Sequence, residues 1–442
     1  MRAIPVALAA LLVCAAVGVG VAAPPAAAPD RGTQVGVAAA GADDGGTGTA
    51  AFTPHNGSGA LRVLSLNGSQ RVTADVDVVT VDAGTATGLG ANASAARIET
   101  IAMRERIESA NTTDERQKRI LDGLNEVDKD VITLHSRQRA ALRGYADGEL
   151  TARQLLVELA EIRATARTLE ERVRLLNRLA DETEEFSLDD SRVFSIIYDL
   201  QTFDGPVRER AAAALRGEPG ASTRIYVATT RESVVLSTVA GDEYVREAFR
   251  GDLRDRDETG INEEVAQNVT ERSYPEVYAA TGGSVSGQGS GGTFLFDLRY
   301  PNGTLTAFVG GGSERVFLEW QRVDLAGIDT GEPVSRTLDL TLTVNRTFPG
   351  GPLRVAVTDP ETGDPIDAIV KIGREGGESV EVGTTGDDGV LWTVSPRGSF
   401  VVTVVEVGSA EVSTVSVEPS DPHTVEEAFS NSTGSPSIDD GT

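Results

Sequence analysis

The chain of 442 residues is poor in several residue types: one cysteine, three histidines, two tryptophans, and aromatic side chains at 5%. Each scarcity excludes something. The single cysteine, Cys14, lies inside an N-terminal apolar run, so the rest of the chain offers no disulfide, thiolate nucleophile or cysteine metal site. His55, His135 and His423 are far apart in sequence, which gives no sign of a histidine metal site or a Ser/His/Asp triad. Only Lys118, Lys129 and Lys371 are lysines, so 37 of the 40 cations are arginine; 67 acidic residues leave a net charge of −27. Phosphate binding needs clustered positive potential, so no nucleic-acid partner is expected. No catalytic, cofactor-binding or metal-ligating residue is singled out, and no cofactor is expected.

What is present points to export and to brine. Arg2 precedes an apolar run over residues 3–23, followed by Pro24, Pro25 and an alanine-rich stretch, the pattern of a signal peptide. At about 20 residues the run is also long enough to span a bilayer if uncleaved, which is the one membrane contact expected. Many carboxylates with almost no lysine suit saturated salt. At ~1 M the Debye length is ~3 Å, so the excess charges repel weakly while holding a hydration shell.

Eight of the eleven asparagines stand in Asn-x-Ser/Thr: Asn56, Asn67, Asn92, Asn111, Asn268, Asn302, Asn345 and Asn431. With 71 serines and threonines, chance would place roughly two there. None falls in residues 113–267, the densest helical region, and all eight are candidate glycosylation sites.

The fold class expected is multidomain α and β: an antiparallel coiled-coil helical hairpin, an α+β domain and a C-terminal all-β sandwich. A disordered leader (24–60) precedes a small β segment (61–94), in which 61–66 and 72–82 alternate as a hairpin. A helical bundle covers 95–217. Within it Ile120, Leu124, Val127, Val131, Leu134, Gln138 and Ala141 are spaced alternately four and three, and the spacing resumes from Leu155 to Leu176. Gly148 lies in the short connection, so the two helices should fold back on each other. Thr112 or Thr113 is expected to cap the first. Gln138, the polar residue on the seam, is expected to fix register, and His135 to lie at the surface.

Residues 222–325 read as the α+β domain, with strands at 224–229, 233–239, 294–300, 304–309 and 315–323. Helices are expected at 243–253 and 263–272, and a glycine-serine loop at 282–292. Gly287 to Gly292 formally matches Gly-x-Gly-x-x-Gly, but a strand follows it, where dinucleotide binding needs a helix. Asp255, Asp257 and Gly260 faintly echo a calcium loop, yet Ala266 stands at the twelfth position, where a bidentate Glu is needed. Asp181, Glu182, Glu184, Glu185, Asp189 and Asp190 read as a solvated acidic face.

Residues 337–419 read as the sandwich, followed by a disordered acidic tail (420–442). On its strand 390–394, Val390, Trp392 and Val394 share one face, expected to be the core; with the Leu391 face inward, Trp392 would be a candidate contact for a glycan or partner. Val357, Asp359, Thr362, Gly363, Pro365, Ile366, Val370, Asp387, Asp388, Gly389, Pro396, Gly398 and Phe400 form a pattern that resembles the carboxypeptidase-regulatory-like, transthyretin-type sandwich. Asp367 departs from it, standing before Ala368 where that family usually has glycine. The order of leader, helical hairpin, strand at 224–230, helix Tyr244-Val245-Arg246-Glu247-Ala248 and β tail resembles an exported haloarchaeal protein family of unestablished function. That resemblance implies a habitat and export, but no activity.

The function expected is that of a secreted or cell-surface, glycosylated structural or interaction protein of a halophile, without catalysis. Its expected partners are a cell-envelope protein or glycan, or a second copy through the coiled coil. Two alternatives stand beside it: an extracellular hydrolase or inhibitor using the α+β domain, and a membrane-anchored surface sensing module.

Overall fold

The computed structural model describes residues 62–255, 260–328, 331–374, 376–426 and 429. The signal segment, the leader, Cys14, Asn56, Asn431 and Asp257 of the calcium-like loop lie outside them.

The first strand, β1 (Thr73–Val79), leads into α1 (Ala83–Glu108), α2 (Thr113–Ala146), α3 (Ala152–Asp181), α4 (Asp190–Gln201) and α5 (Pro206–Leu215). The caps follow the local chemistry. Thr112 accepts from the Glu115 N–H, with Asp114 and Glu115 complementing the dipole of the first turn. Thr151 and Gln154 form a capping box on α3, and Pro206 opens α5. α2 and α3 run antiparallel, since Arg137 meets Glu158 and Glu161 while Arg116 reaches Thr183. Ile120, Leu124, Val127, Val131 and Leu134 pack there against Ile162, Ala166, Leu169, Val173 and Leu176. Each such fully buried Leu, Ile or Val contributes about 1.5–3 kcal/mol.

Next come β2 (Thr223–Thr229), β3 (Ser233–Ala240), β4 (Glu243–Arg250), α6 (Glu263–Ser273), α7 (Pro275–Ala280), β5 (Val285–Ser290), β6 (Thr293–Tyr300), β7 (Gly303–Gly310) and β8 (Arg315–Asp324). With β1 they build one eight-stranded sheet, ordered β1-β2-β3-β4-β8-β7-β6-β5, every pair antiparallel. The three-stranded meander β2-β3-β4, edged by β1, thus meets the four-stranded meander β5-β6-β7-β8 where β4 pairs with β8. The ends of α2 and α3 near their loop, together with α5, cover one face through Leu142, Leu155, Leu159, Val207 and Leu215. α6, α7 and the Leu64 segment cover the other.

Strands β9 (Pro333–Thr337), β10 (Thr341–Asn345), β11 (Pro352–Thr358), β12 (Ala368–Arg374), β13 (Ser379–Thr384), β14 (Val390–Val394), β15 (Phe400–Glu406) and β16 (Val412–Val417) close the chain. They form two antiparallel sheets, β14-β11-β10-β9 and β13-β12-β15-β16, over a shared core of Leu342, Val355, Val370, Phe400 and Val404: an all-β sandwich.

Several expectations are corrected. Residues 61–66 do not pair with β1. Val63 bridges Thr424 instead, and β1 joins β2 as the edge of the large sheet, so 61–94 is no separate β segment. α1 starts at Ala83, capped by Asp82, twelve residues before the expected helix; Gly84, Gly88 and Gly90 had masked the start. Residues 243–250 are a central strand, because β3 and β8 hydrogen-bond it from both sides. The glycine-rich 285–290 is an edge strand: a Cβ on Gly287 or Gly289 would sit 2.5 or 2.2 Å from the ring of Phe296 or Phe294. The sandwich starts ahead of the expected residue 337, with the hairpin of β9 and β10. The start of the acidic tail packs on the protein, since Val425 is buried on the large sheet and Glu426 pairs with Arg250.

Candidate functional site

The chemistry-bearing side chains of the interior gather around β4. Its alternation sends Val245, Glu247 and Phe249 toward the helices and Arg246 and Ala248 toward the opposite face. On the helical side, the Glu247 carboxylate accepts from the Val207 N–H (3.0 Å), the Arg208 N–H (3.3 Å) and Arg208 Nε (2.8 Å). It therefore sits at the N-terminus of α5, where unpaired donors and the helix dipole favour an anion. Arg208 Nη1 then donates to Gln138 Oε1 (2.9 Å) and to the Phe203 carbonyl (3.1 Å). Burial pushes the Glu247 carboxyl up, and the Arg208 charge with these donors pulls against it. Gln138 thus ties α2 to α5 as an acceptor.

On the opposite face Arg246 pairs with Glu319 Oε1 and donates to the Leu64 carbonyl (2.8 Å). Glu319 Oε2 accepts from the Leu64 N–H (2.7 Å) and Tyr274 Oη (2.6 Å). Burial raises the Tyr274 hydroxyl above its ordinary range, so it stays protonated and donates. Arg250, two pleat repeats further along β4, holds Asp252, Glu426 and the Ser65 carbonyl. Apart from Gln138, sequence reasoning missed all of these. The one signal was an Arg-Glu pair inside the apolar run from Tyr244 to Phe249, within the segment that the spacing reads as a helix.

Beside Gln138 lies a cavity of about 290 Å³ lined by His135, Arg139, Glu232, Phe249 and Arg254. His135 is a correction: it is buried, its ring 4.4 Å from that of Phe203, with Arg254 Nη1 3.2 Å from Nε2. Arg254 also pairs with Asp199 and lies over Phe317. Two guanidiniums, an imidazole and one carboxylate can hold a small polar or anionic molecule. His423 is on the opposite side of the sheet, its carbonyl accepting from Val63.

The sequons do not converge. Asn92, Asn111, Asn268 and Asn302 are exposed and Asn67 is half-buried. Asn345, by contrast, is buried on β10 at 8% exposure. Asp181, Glu182, Glu184, Glu185 and Asp190 are exposed, and Asp189 caps α4. Trp392 is half-buried and faces away from the sandwich core. Leu391 packs inward there, while Val394 joins the core of the large sheet.

Among the described residues no group of three or more His, Cys, Asp or Glu could hold a metal ion, and no helix is long and apolar enough to cross a membrane. Three family models match the chain. Residues 1–220 are similar to a domain of unknown function (DUF7096), residues 225–329 to a family of unknown function (DUF7094), and residues 332–414 to an archaeal fibronectin-III type-like domain. No curated protein matches it.

Proposed function

We propose that this is an exported, glycosylated envelope protein of a brine-living archaeon, with a structural or interaction role and no catalysis. One observation carries the reading: the strongest ionic groups of the interior are used to fasten elements together. Glu247–Arg208 fixes α5 and α2 to the sheet, and Glu319–Arg246 fixes the Leu64 segment and Tyr274 to its other side. Buried and enclosed in this way, these groups act as fasteners rather than as acids or bases. The similarity of 332–414 to an archaeal fibronectin-III type-like module supports an extracellular assignment. In this reading the α2–α3 hairpin is a short coiled coil, and the apolar run 3–23 delivers or tethers the chain.

A second reading, a surface sensing module, is favoured by the cavity beside His135. The test is fractionation of native cells followed by intact-mass and glycopeptide mass spectrometry. Recovery from the envelope or medium, with glycans on Asn92, Asn111 or Asn302, supports the proposal. Recovery from the cytoplasm, unmodified, overturns it.

A further inference from the structure

The helix-bearing face of the large sheet changes character along β8, β7 and β6. Its register sets side chains in rows across the strands. Leu318, Phe308 and Leu295 stand opposite one another and are buried under the helices. Two residues on, the row is Trp320, Thr306 and Asp297; two further, it is Arg322, Thr304 and Arg299. None of these six is buried. A strand face covered by helices would carry apolar residues there, so the polar rows belong to an open stretch of the face. The start of α5 walls this stretch on one side with Asp204 and Glu209, leaving a cleft of about 140 Å³.

Trp320 is the large apolar group of the cleft. Its ring centroid is 5.0 Å from that of Phe308, its diagonal neighbour on β7, tilted by 67°, an edge contact that holds the indole from the side. Thr306 Oγ1 donates to Asp297 (2.6 Å), so its own oxygen remains an acceptor toward the cleft. Arg322 lies 3.7 Å from Glu209 and 3.6 Å from Glu243, loose pairings that leave guanidinium donors available. The charges nearly balance, with Asp204, Glu209, Glu243 and Asp297 against Arg163, Arg322 and Arg299, so neither a polyanion nor a cation is favoured.

We infer that this cleft binds one neutral sugar ring, a hexose unit, stacked by its C–H face on Trp320. A pyranose presents an apolar face and a rim of hydroxyls, each both donor and acceptor. An indole beside carboxylates, a guanidinium and threonine hydroxyls complements both. The cleft is too small for a nucleotide and suits a single ring. The inference rests on the envelope reading for its source of sugar, which is a free saccharide, a glycan of another surface protein, or the glycan of Asn302. That residue lies on the β6–β7 turn just beyond Arg299 and Thr304.

Saturation-transfer NMR with the methyl pyranosides of glucose, galactose and mannose tests this on the full chain in molar KCl. Transfer to at least one hexose is expected, weakened about tenfold by Arg322→Met and abolished by Trp320→Ala. Arg322→Met removes no buried contact, so it reports on the cleft even where Trp320→Ala perturbs folding. Transfer that appears or strengthens in Asn302→Gln identifies the chain's own glycan as the occupant and supports the site. No transfer to any of the three in either background, or transfer unchanged by Arg322→Met, overturns the inference. A secreted, glycosylated protein without hexose transfer removes the cleft alone; hexose transfer by a cytoplasmic protein removes the envelope reading alone.

Discussion

Arg246 and Glu247 are neighbours on β4, yet their charges are buried on opposite faces of one sheet, Arg246 against Glu319 and Glu247 against Arg208. Period-two alternation makes this unavoidable once the segment is a strand. The consequence is that a single strand anchors the helices on one side and the Leu64 and Tyr274 elements on the other. Coulomb attraction offsets desolvation for such pairs only when the remaining lone pairs and protons are satisfied, which Gln138, Phe203, Leu64 and Tyr274 do here.

Arg208→Met should therefore cost about 3–5 kcal/mol, because it strands the Glu247 carboxylate. Arg208→Met with Glu247→Gln should cost less than the single change, since the glutamine oxygen still accepts from the Val207 and Arg208 N–H groups. Urea unfolding in molar KCl measures both. A double variant less stable than Arg208→Met would show that the two charges do not act as a pair.

Helices α2 to α6, the hairpin loop, the Thr112 cap and most strands were legible because they rest on local chemistry: period, capping residues, turn residues. What stayed hidden was decided at long range. Tyr244 to Arg250 is a strand because β3 and β8 flank it, and nothing within the segment announces them. The glycines of β5 read as a loop because the rings of Phe294 and Phe296, which they pass over, are supplied by the next strand. His135 and Gln138 lie at helical positions whose neighbours, Phe203 and Arg208, come about 70 residues later, so sequence spacing could not find them. Trp392 faces away from its own sandwich because β14 also packs against the large sheet.

The junction between sandwich and sheet turns on Gly350, whose carbonyl accepts from Tyr244 Oη (2.8 Å) and Ser237 Oγ (2.5 Å). Gly350 has φ +78, and a Cβ there would lie 2.5 Å from the Tyr226 ring. Gly350→Ala should cost about 3 kcal/mol. Gly363→Ala has the same backbone handicap (φ +76) but open space around it, and should cost only about 1–2 kcal/mol. Equal losses in thermal unfolding would show that the Tyr226 contact does not govern the junction.

Burial pushes the hydroxyls of Tyr226 and Tyr244 up to about 12 from 10.0, with Arg246 drawing both back. The unfolded chain thus loses these protons near 10 and the folded chain near 12. The folded state binds more protons between those values, so stability should fall as pH rises through that window. Circular dichroism from pH 9 to 12 should show the decline, and Tyr244→Phe should make it shallower. An unchanged slope in that variant would remove Tyr244 as a cause.

On α3, Leu159 and Arg163 are both buried, and Arg163 Nε donates to Asp204 at 2.5 Å. Heptad spacing alone puts Arg163 off the seam beside Arg167, with equally mild substitutions expected at both. The structure separates them. Leu159→Asp and Arg163→Asp should each cost about 3 kcal/mol or more, the latter by setting carboxylate against carboxylate. Arg167→Asp, at an exposed position, should change stability by only about 0.5 kcal/mol. Arg167 also reaches Asp204, at 3.8 Å, but from an exposed position, so comparable losses at 163 and 167 would contradict the buried Arg163 pairing as the stronger one.

The proposed brine habitat carries its own prediction, and the buried pairs sharpen it. With a net charge of −27, carboxylate repulsion opposes the compact state in dilute buffer, and screening at ~1 M relieves it over a Debye length of ~3 Å. Unfolding free energy should therefore rise steeply from dilute buffer to molar KCl. The Arg208–Glu247 interaction should not follow, because its side chains are 2% and 4% exposed and mobile ions do not reach between them. The energy difference between the Arg208→Met single variant and the double variant should then be the same at both salt concentrations, wherever the dilute-buffer form still folds. The two measurements separate surface from interior. Stability that is flat with salt would overturn the brine reading, whereas a coupling that shrinks with salt would mean that the β4 pair is reached by solvent and does not fasten α5 as described.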